Sequence, residues 1–123
     1  VDRRQRQMCI RDRYQDAFQK INNITSPYVP NNVNPAFHLY ILKFSDNNEY
    51  RRVKACEFLR SNGVFSQIHY IPVYHQPWYQ EKYGTFETCP DSEEYYNNCI
   101  SIPLFPDLSD DELNKDIYLV KRV

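Results

Sequence analysis

The stretch QIHYIPVYHQPWY, residues 67–79, decides how this chain is read. An apolar run ending at Tyr70 predicts a strand, Pro72 fixes a corner, and Pro77 opens a short aromatic-rich helix. Two imidazoles (His69, His75), an amide (Gln76), three phenols (Tyr70, Tyr74, Tyr79) and the indole of Trp78 are gathered within it. A strand end followed by a rigid turn is where folds present polar groups to a ligand. The plainer reading is a Tyr- and Trp-rich edge that completes a core, its histidines bonded to backbone.

Working outward, Val64–Tyr70 is expected as one strand and Pro77–Tyr83 as a helix ended by Gly84. Upstream, FHLYILKF (37–44) is β-branched and aromatic, a strand buried on both faces, with His38 a satisfied core histidine inside it. Asp46 with Glu49 three residues on resembles a capping arrangement for a helix running to about Arg60. That helix should bury Val53, Cys56, Phe58 and Leu59, and Asn62-Gly63 should end it with a left-handed residue. Downstream, Asp91 with Glu94 starts a helix ending near Cys99, and Ile100–Pro103 is a short extended edge. Ser109 and Glu112 form an S-x-x-E capping box stapled by Leu108 and Leu113, so a last helix runs to about Val120.

At the start, Tyr14, Ala17, Phe18 and Ile21 recur at helical spacing, which predicts an amphipathic helix beginning at once and without a cap. Residues 22–36, rich in Asn and Pro, are expected to be loop. Residues 1–13 look foreign: RRQRQ has no apolar periodicity. A basic nucleic-acid arm or a localisation signal would account for them. The preferred expectation is a non-native segment derived from a cloning or sequencing adapter, set aside from the fold. Strands and helices in this order give a small α/β domain over 14–123, a short sheet with helices packed on one face.

Composition narrows the function. At 123 residues the chain is one domain, large enough for a core of its own. Two glycines leave no room for a phosphate-cradling loop of the G-x-G-x-x-G or Walker type. The five arginines of residues 1–13 outweigh two acids, which leaves residues 14–123 at −4, a poor match for a nucleic-acid partner. No apolar run reaches 18 residues, so no membrane span is expected. Four cysteines without a C-x-x-C pair, two of them about 15 Å apart across a helix, read as reduced thiols in a cytoplasmic protein.

Among single residues, His69 at a strand end suits acid/base work or hydrogen bonding, although no Ser or Cys nucleophile lies near it in sequence. A zinc site from His69, His75 and Cys89 matches no ligand spacing. Asp110, Asp111, Glu93 and Glu94 fall in first helical turns, where carboxylates favour the dipole. Arg51 and Arg52 read as solvated charges.

Read together, AFHLYILKF, the helix ending FLRSNGV, IHYIPVYHQPWYQEKYG and CPDSEEYYNNCISIPLFPDLSDDEL resemble the C-terminal domain of nucleotide-sugar aminotransferases of the DegT/DnrJ/StrS type. The resemblance spans about residues 14–123 in unbroken order. It implies the small domain of a fold-type I enzyme that uses pyridoxal 5'-phosphate (PLP). The implied reaction moves an amino group from glutamate to the 4-keto group of a UDP-linked deoxy-amino sugar, within surface-polysaccharide or flagellin-glycan (pseudaminic acid) synthesis. It also implies a homodimer with neither nucleic acid nor membrane as partner.

Under that resemblance the cofactor lysine lies in a large N-terminal domain, in a serine-rich segment. None of Lys20, Lys43, Lys54, Lys82, Lys115 and Lys121 has such a setting, so the chain is expected to be a fragment, inactive alone. His69, Tyr70 and Pro72 stand on the family's H-Y-x-P, which implies substrate contact for His69 and Tyr70, with His75 and Gln76 beside them. The family often has a histidine where Tyr74 stands here, so His75 is displaced by one. The alternative is a stand-alone α/β module that binds a nucleotide or sugar without catalysis.

Overall fold

Residues 3–18 form a single helix, α1 (Arg3–Phe18), in the computed structural model, which describes residues 2–46, 48–84 and 87–123. Its start lies eleven residues before the expected one. Asp2 caps it by accepting from the Arg4 amide, and Ile10, Tyr14 and Phe18, four apart, all point into the core. Arg6, one turn before Ile10 on the same line, donates to the Leu108 carbonyl at 2.8 Å and pairs with Asp110 at 3.0 Å. The apolar stripe thus runs on upstream of Tyr14, interrupted by arginines that find partners near the last helix.

Among the described residues the order continues β1 (Ile24–Thr25), β2 (Tyr40–Phe44), α2 (Glu49–Ser61), a 3-10 turn (Val73–His75), α3 (Pro77–Tyr83), α4 (Pro90–Asn98), β3 (Cys99–Ile102) and α5 (Asp110–Val120). The sheet is antiparallel in the order β1-β2-β3, with Ile24 opposite Phe44 and Tyr40 opposite Ile102. The loop expected over 22–36 therefore carries one short strand. Strand β2 starts three residues later than expected because Phe37 takes φ 48, outside the extended region. His38 is accordingly outside the strand and exposed, not a core histidine.

One row of β2, Tyr40, Leu42 and Phe44, is fully buried and meets Tyr14 and Phe18 of α1, Leu59 of α2 and Leu113 and Val120 of α5. The rings of Tyr14 and Tyr40 lie 5.1 Å apart. The other row, Ile41 and Lys43, is half-buried, and Glu94 of α4 reaches it through an ion pair with Lys43 at 2.8 Å. This is a small α/β domain with its main core on one face of a short sheet.

Four local expectations are corrected. Helix α2 is capped by Asn48, whose side chain accepts from the Tyr50 amide, while Asp46 pairs with Arg51 at 2.9 Å. The capping role expected of Glu49 concerns a side chain outside the described residues. Of the four residues expected to be buried on α2, Leu59 is buried and Cys56 packs half-buried against the core, whereas Val53 and Phe58 are exposed and Ala55 is buried instead. The 3.6-residue period turns only the Ala55–Leu59 line fully inward.

The second expected strand, 64–70, shrinks to one bridge. Gln67 exchanges two backbone hydrogen bonds with Ser101, at 2.9 and 2.7 Å. Val64 is buried, but Phe65 is 65% and Tyr70 70% exposed. Toward Phe65 the ladder stops at Pro103, which has no N–H to donate.

Helix α4 starts at Pro90 after Cys89 with no side-chain cap, so Asp91 supplies charge to the first turn without capping it. The ends of α2 and α3 follow the expected chemistry, with Gly63 at φ 83 and Gly84 at φ 78. The capping box is present in full: the Ser109 amide donates to Glu112 at 2.8 Å and the Glu112 amide to Ser109 at 3.1 Å.

Candidate functional site

The Gln67–Ser101 bridge puts His69 alongside the end of β3. Its Nδ1 lies 2.7 Å from Oγ of Ser101, a residue only 5% exposed. A hydroxyl fixed in a strand holds one ring nitrogen, which orients the imidazole and leaves Nε2 for a ligand. The Tyr70 ring stands edge-on to the imidazole, centroids 4.5 Å apart, across a cis peptide bond.

His69 and Ser101 open onto a cavity of about 550 Å³ between residues 63–67, the exit of β3 and the start of α5. Its walls are apolar at Val64, Ile102 and Leu104 and polar at His38, Gln67, Lys115 and Asp116. An apolar cleft with a few convergent polar groups is the usual form of a small-molecule site. Tyr70 is not part of its wall.

His75 is placed elsewhere. It sits in the 3-10 turn with Nε2 2.5 Å from Oε1 of Glu93 on α4, and the Tyr74 hydroxyl donates to the same oxygen at 2.7 Å. Tyr74 also accepts from the Cys89 amide at 3.2 Å. The hydrogen bond from Tyr74, then that from His75, holds the Glu93 carboxyl below its usual range, while burial and then Glu93 push the Tyr74 phenol up. Glu93 is thus the tether between the corner and α4 as well as a first-turn charge.

Gln76 is exposed, and its backbone carbonyl accepts from the Tyr79 and Gln80 amides at 3.1 Å each, opening α3. Of the four candidate residues, then, one lines the cavity, one packs against that residue outside the wall, and two belong to the turn that leads to α3. His69, His75 and Cys89 do not converge; no group of three or more His, Cys, Asp or Glu among the described residues could hold a metal ion.

The residues present do not fit PLP. Lys43 is engaged with Glu94, and Lys82 lies over the Trp78 ring at 4.6 Å. Lys115, at the cavity edge, has the Glu112 carboxylate beside it, a charge that opposes a phosphate. The two glycines sit at helix ends and form no phosphate cradle.

Sequence reasoning passed over Ser101, Glu93 as a tether, and Asp116. The first was visible as the one polar side chain inside the apolar run CISI, the last as an acid on the Leu113–Val120 stripe of α5.

Comparison with known proteins defines the class to which this geometry belongs. The sequence profile of the DegT/DnrJ/EryC1/StrS aminotransferase family matches residues 1–120. The spore coat polysaccharide biosynthesis protein SpsC of Bacillus subtilis is 32% identical over 125 residues, 99% of this chain and 32% of SpsC. Streptococcus pneumoniae Spr1654, assigned as a sugar aminotransferase, superposes with a TM-score of 0.89 at 26% identity, over 98% of this chain and 31% of its own. Helicobacter pylori PseC, an aminotransferase involved in pseudaminic acid biosynthesis, shares the fold with a TM-score of 0.88 at 21% identity, over 98% and 32%.

The chain belongs to the DegT/DnrJ/EryC1/StrS aminotransferase family. It spans about a third of the length of the relatives it matches. No helix among the described residues is long and apolar enough to cross a membrane.

Proposed function

We propose that residues 14–123 are the small C-terminal domain of a PLP-dependent sugar aminotransferase whose cofactor lysine lies on a large domain outside this sequence. The whole enzyme transfers an amino group from glutamate to the 4-keto group of a UDP-linked deoxy-amino sugar for a surface glycan, with pseudaminic acid synthesis the pathway in mind. It works in the cytoplasm as a homodimer. In this reading His69 and Tyr70 meet the nucleotide-sugar, and His75 and Gln76 shape the approach to it.

The observation that supports this best is the pairing of His69 with buried Ser101 at a cavity mouth, inside a domain of this family. A hydrogen-bonding imidazole on a rigid strand end suits a sugar hydroxyl or diphosphate oxygen better than proton transfer at the cofactor.

The DNA upstream in the source genome tests the proposal. An in-frame large domain with a lysine in a serine-rich segment is expected, together with a coding sequence that departs from residues 1–13. A start codon near Tyr14 with no large domain before it would overturn it. That result would favour a stand-alone nucleotide- or sugar-binding module, a reading helped by the closed core around Tyr14, Tyr40 and Phe44.

A further inference from the structure

Tyr14 Oη lies 2.8 Å from the Pro103 carbonyl and 3.0 Å from Oδ2 of Asp116. A phenol carries one hydrogen, yet here it faces two acceptors if Asp116 is ionised. Both contacts are satisfied at once only when Asp116 brings the second hydrogen: the acid donates to Tyr14, and Tyr14 donates to Pro103. We propose that Asp116 carries this second hydrogen in mild acid and that gain or loss of the proton works a two-position clamp on the end of β3.

When the proton leaves to solvent, the Tyr14 hydroxyl turns to the carboxylate, the stronger acceptor, and the Pro103 carbonyl loses that donor. Pro103 follows Ile102 and stands two residues from Ser101, so the clamp acts on the strand end that orients His69. Asp116 is therefore a positioning residue. The inference does not depend on what the corner binds.

The surroundings agree. Asp116 is 4% exposed, and burial pushes its carboxyl up to about 6, with Glu112 adding to the rise and the Tyr14 hydrogen bond and Lys115 opposing it. Burial likewise pushes the Tyr14 phenol up, so the tyrosine stays protonated throughout. From α5 the charged neighbours are Glu112 and Lys115; from α1 only the neutral Tyr14 faces it; across the cavity stand His38 and His69. No cation among these pairs with Asp116 in a salt bridge.

Carboxyl-carbon NMR on the labelled 123-residue chain, from pH 3 to 8, tests this. The Asp116 signal is expected to titrate with a midpoint near 6. The Leu104 amide, which shares its peptide unit with the Pro103 carbonyl, should shift with the same midpoint. In Asp116→Asn the amide side chain supplies a permanent donor, and the Leu104 transition should vanish.

An Asp116 midpoint at or below 4, or a Leu104 amide that stays still while Asp116 titrates, would overturn the clamp. Persistence of the Leu104 transition in Asp116→Asn would do the same. Should that variant fail to fold, the two wild-type titrations decide alone.

Discussion

Nδ1 of His69 and Oγ of Ser101, 32 residues apart in sequence, meet at 2.7 Å across the Gln67–Ser101 bridge. The bridge is the only β pairing that residues 64–70 make among the described residues, and it lands on the polar position of β3. Removing the hydroxyl should free the imidazole to turn. Ser101→Ala is expected to cost about 1 kcal/mol of stability and to broaden the His69 ring signals in NMR; unchanged ring signals would show that the bond does not orient the ring.

The core around the sheet carries the domain's stability. Leu113 is fully buried against it. Leu113→Ala should cost about 2–5 kcal/mol, through lost burial and the cavity left behind. Urea unfolding followed by circular dichroism measures this.

Two local devices are separable from that core. Ser109→Ala removes one half of the capping box and should cost about 1 kcal/mol, with Ser109→Asp restoring most of it. Gly63 sits at φ 83, and a β-carbon there would come 3.1 Å from the Lys115 ammonium, the mobile end of a long side chain. The penalty for Gly63→Ala, about 1 kcal/mol, should therefore come from the backbone. Gly63→Asn, which tolerates the left-handed region, should cost less.

Stability should fall on both sides of mild acidity. Glu93 and Glu112 have carboxyls held below the usual value, by Tyr74 and His75 in one case and by Ser109 in the other. Each contributes stability that is present above the unfolded-state value and lost as pH falls through the folded one. Asp116 is raised from 3.8 to about 6, so its contribution is complete below 3.8 and is lost as pH rises towards 6. Thermal unfolding across pH 3–8 should show both slopes in the wild type, and only the acid-side loss in Asp116→Asn.

What was legible in the sequence were elements stated by local chemistry. The capping box of α5, the Pro77 start of α3 and the Gly63 and Gly84 stops depend on a few adjacent residues, and they stand where they were expected. What was not legible depends on distant partners. Arg6 looks like part of an unstructured basic run until Leu108 and Asp110 are beside it. Val64–Tyr70 has strand composition, but pairing requires a neighbour, and only Gln67 meets one, at Ser101 of β3.

The site divides the same way. His69 and Tyr70 were marked by their place after an apolar run, whereas Ser101, Glu93 and Asp116 acquire meaning only through the groups they face. A buried acid on an apolar helical stripe is a signal that sequence reading can take up in other chains.

His69 is proposed to serve the nucleotide-sugar and not the cofactor. In the full-length enzyme carrying this domain, the two half-reactions of His69→Ala can be followed separately in single-turnover experiments. Loss of about tenfold or more in the half-reaction with the keto-sugar, with the glutamate half-reaction within about twofold of the wild type, is the predicted result. Equal loss in both would contradict it.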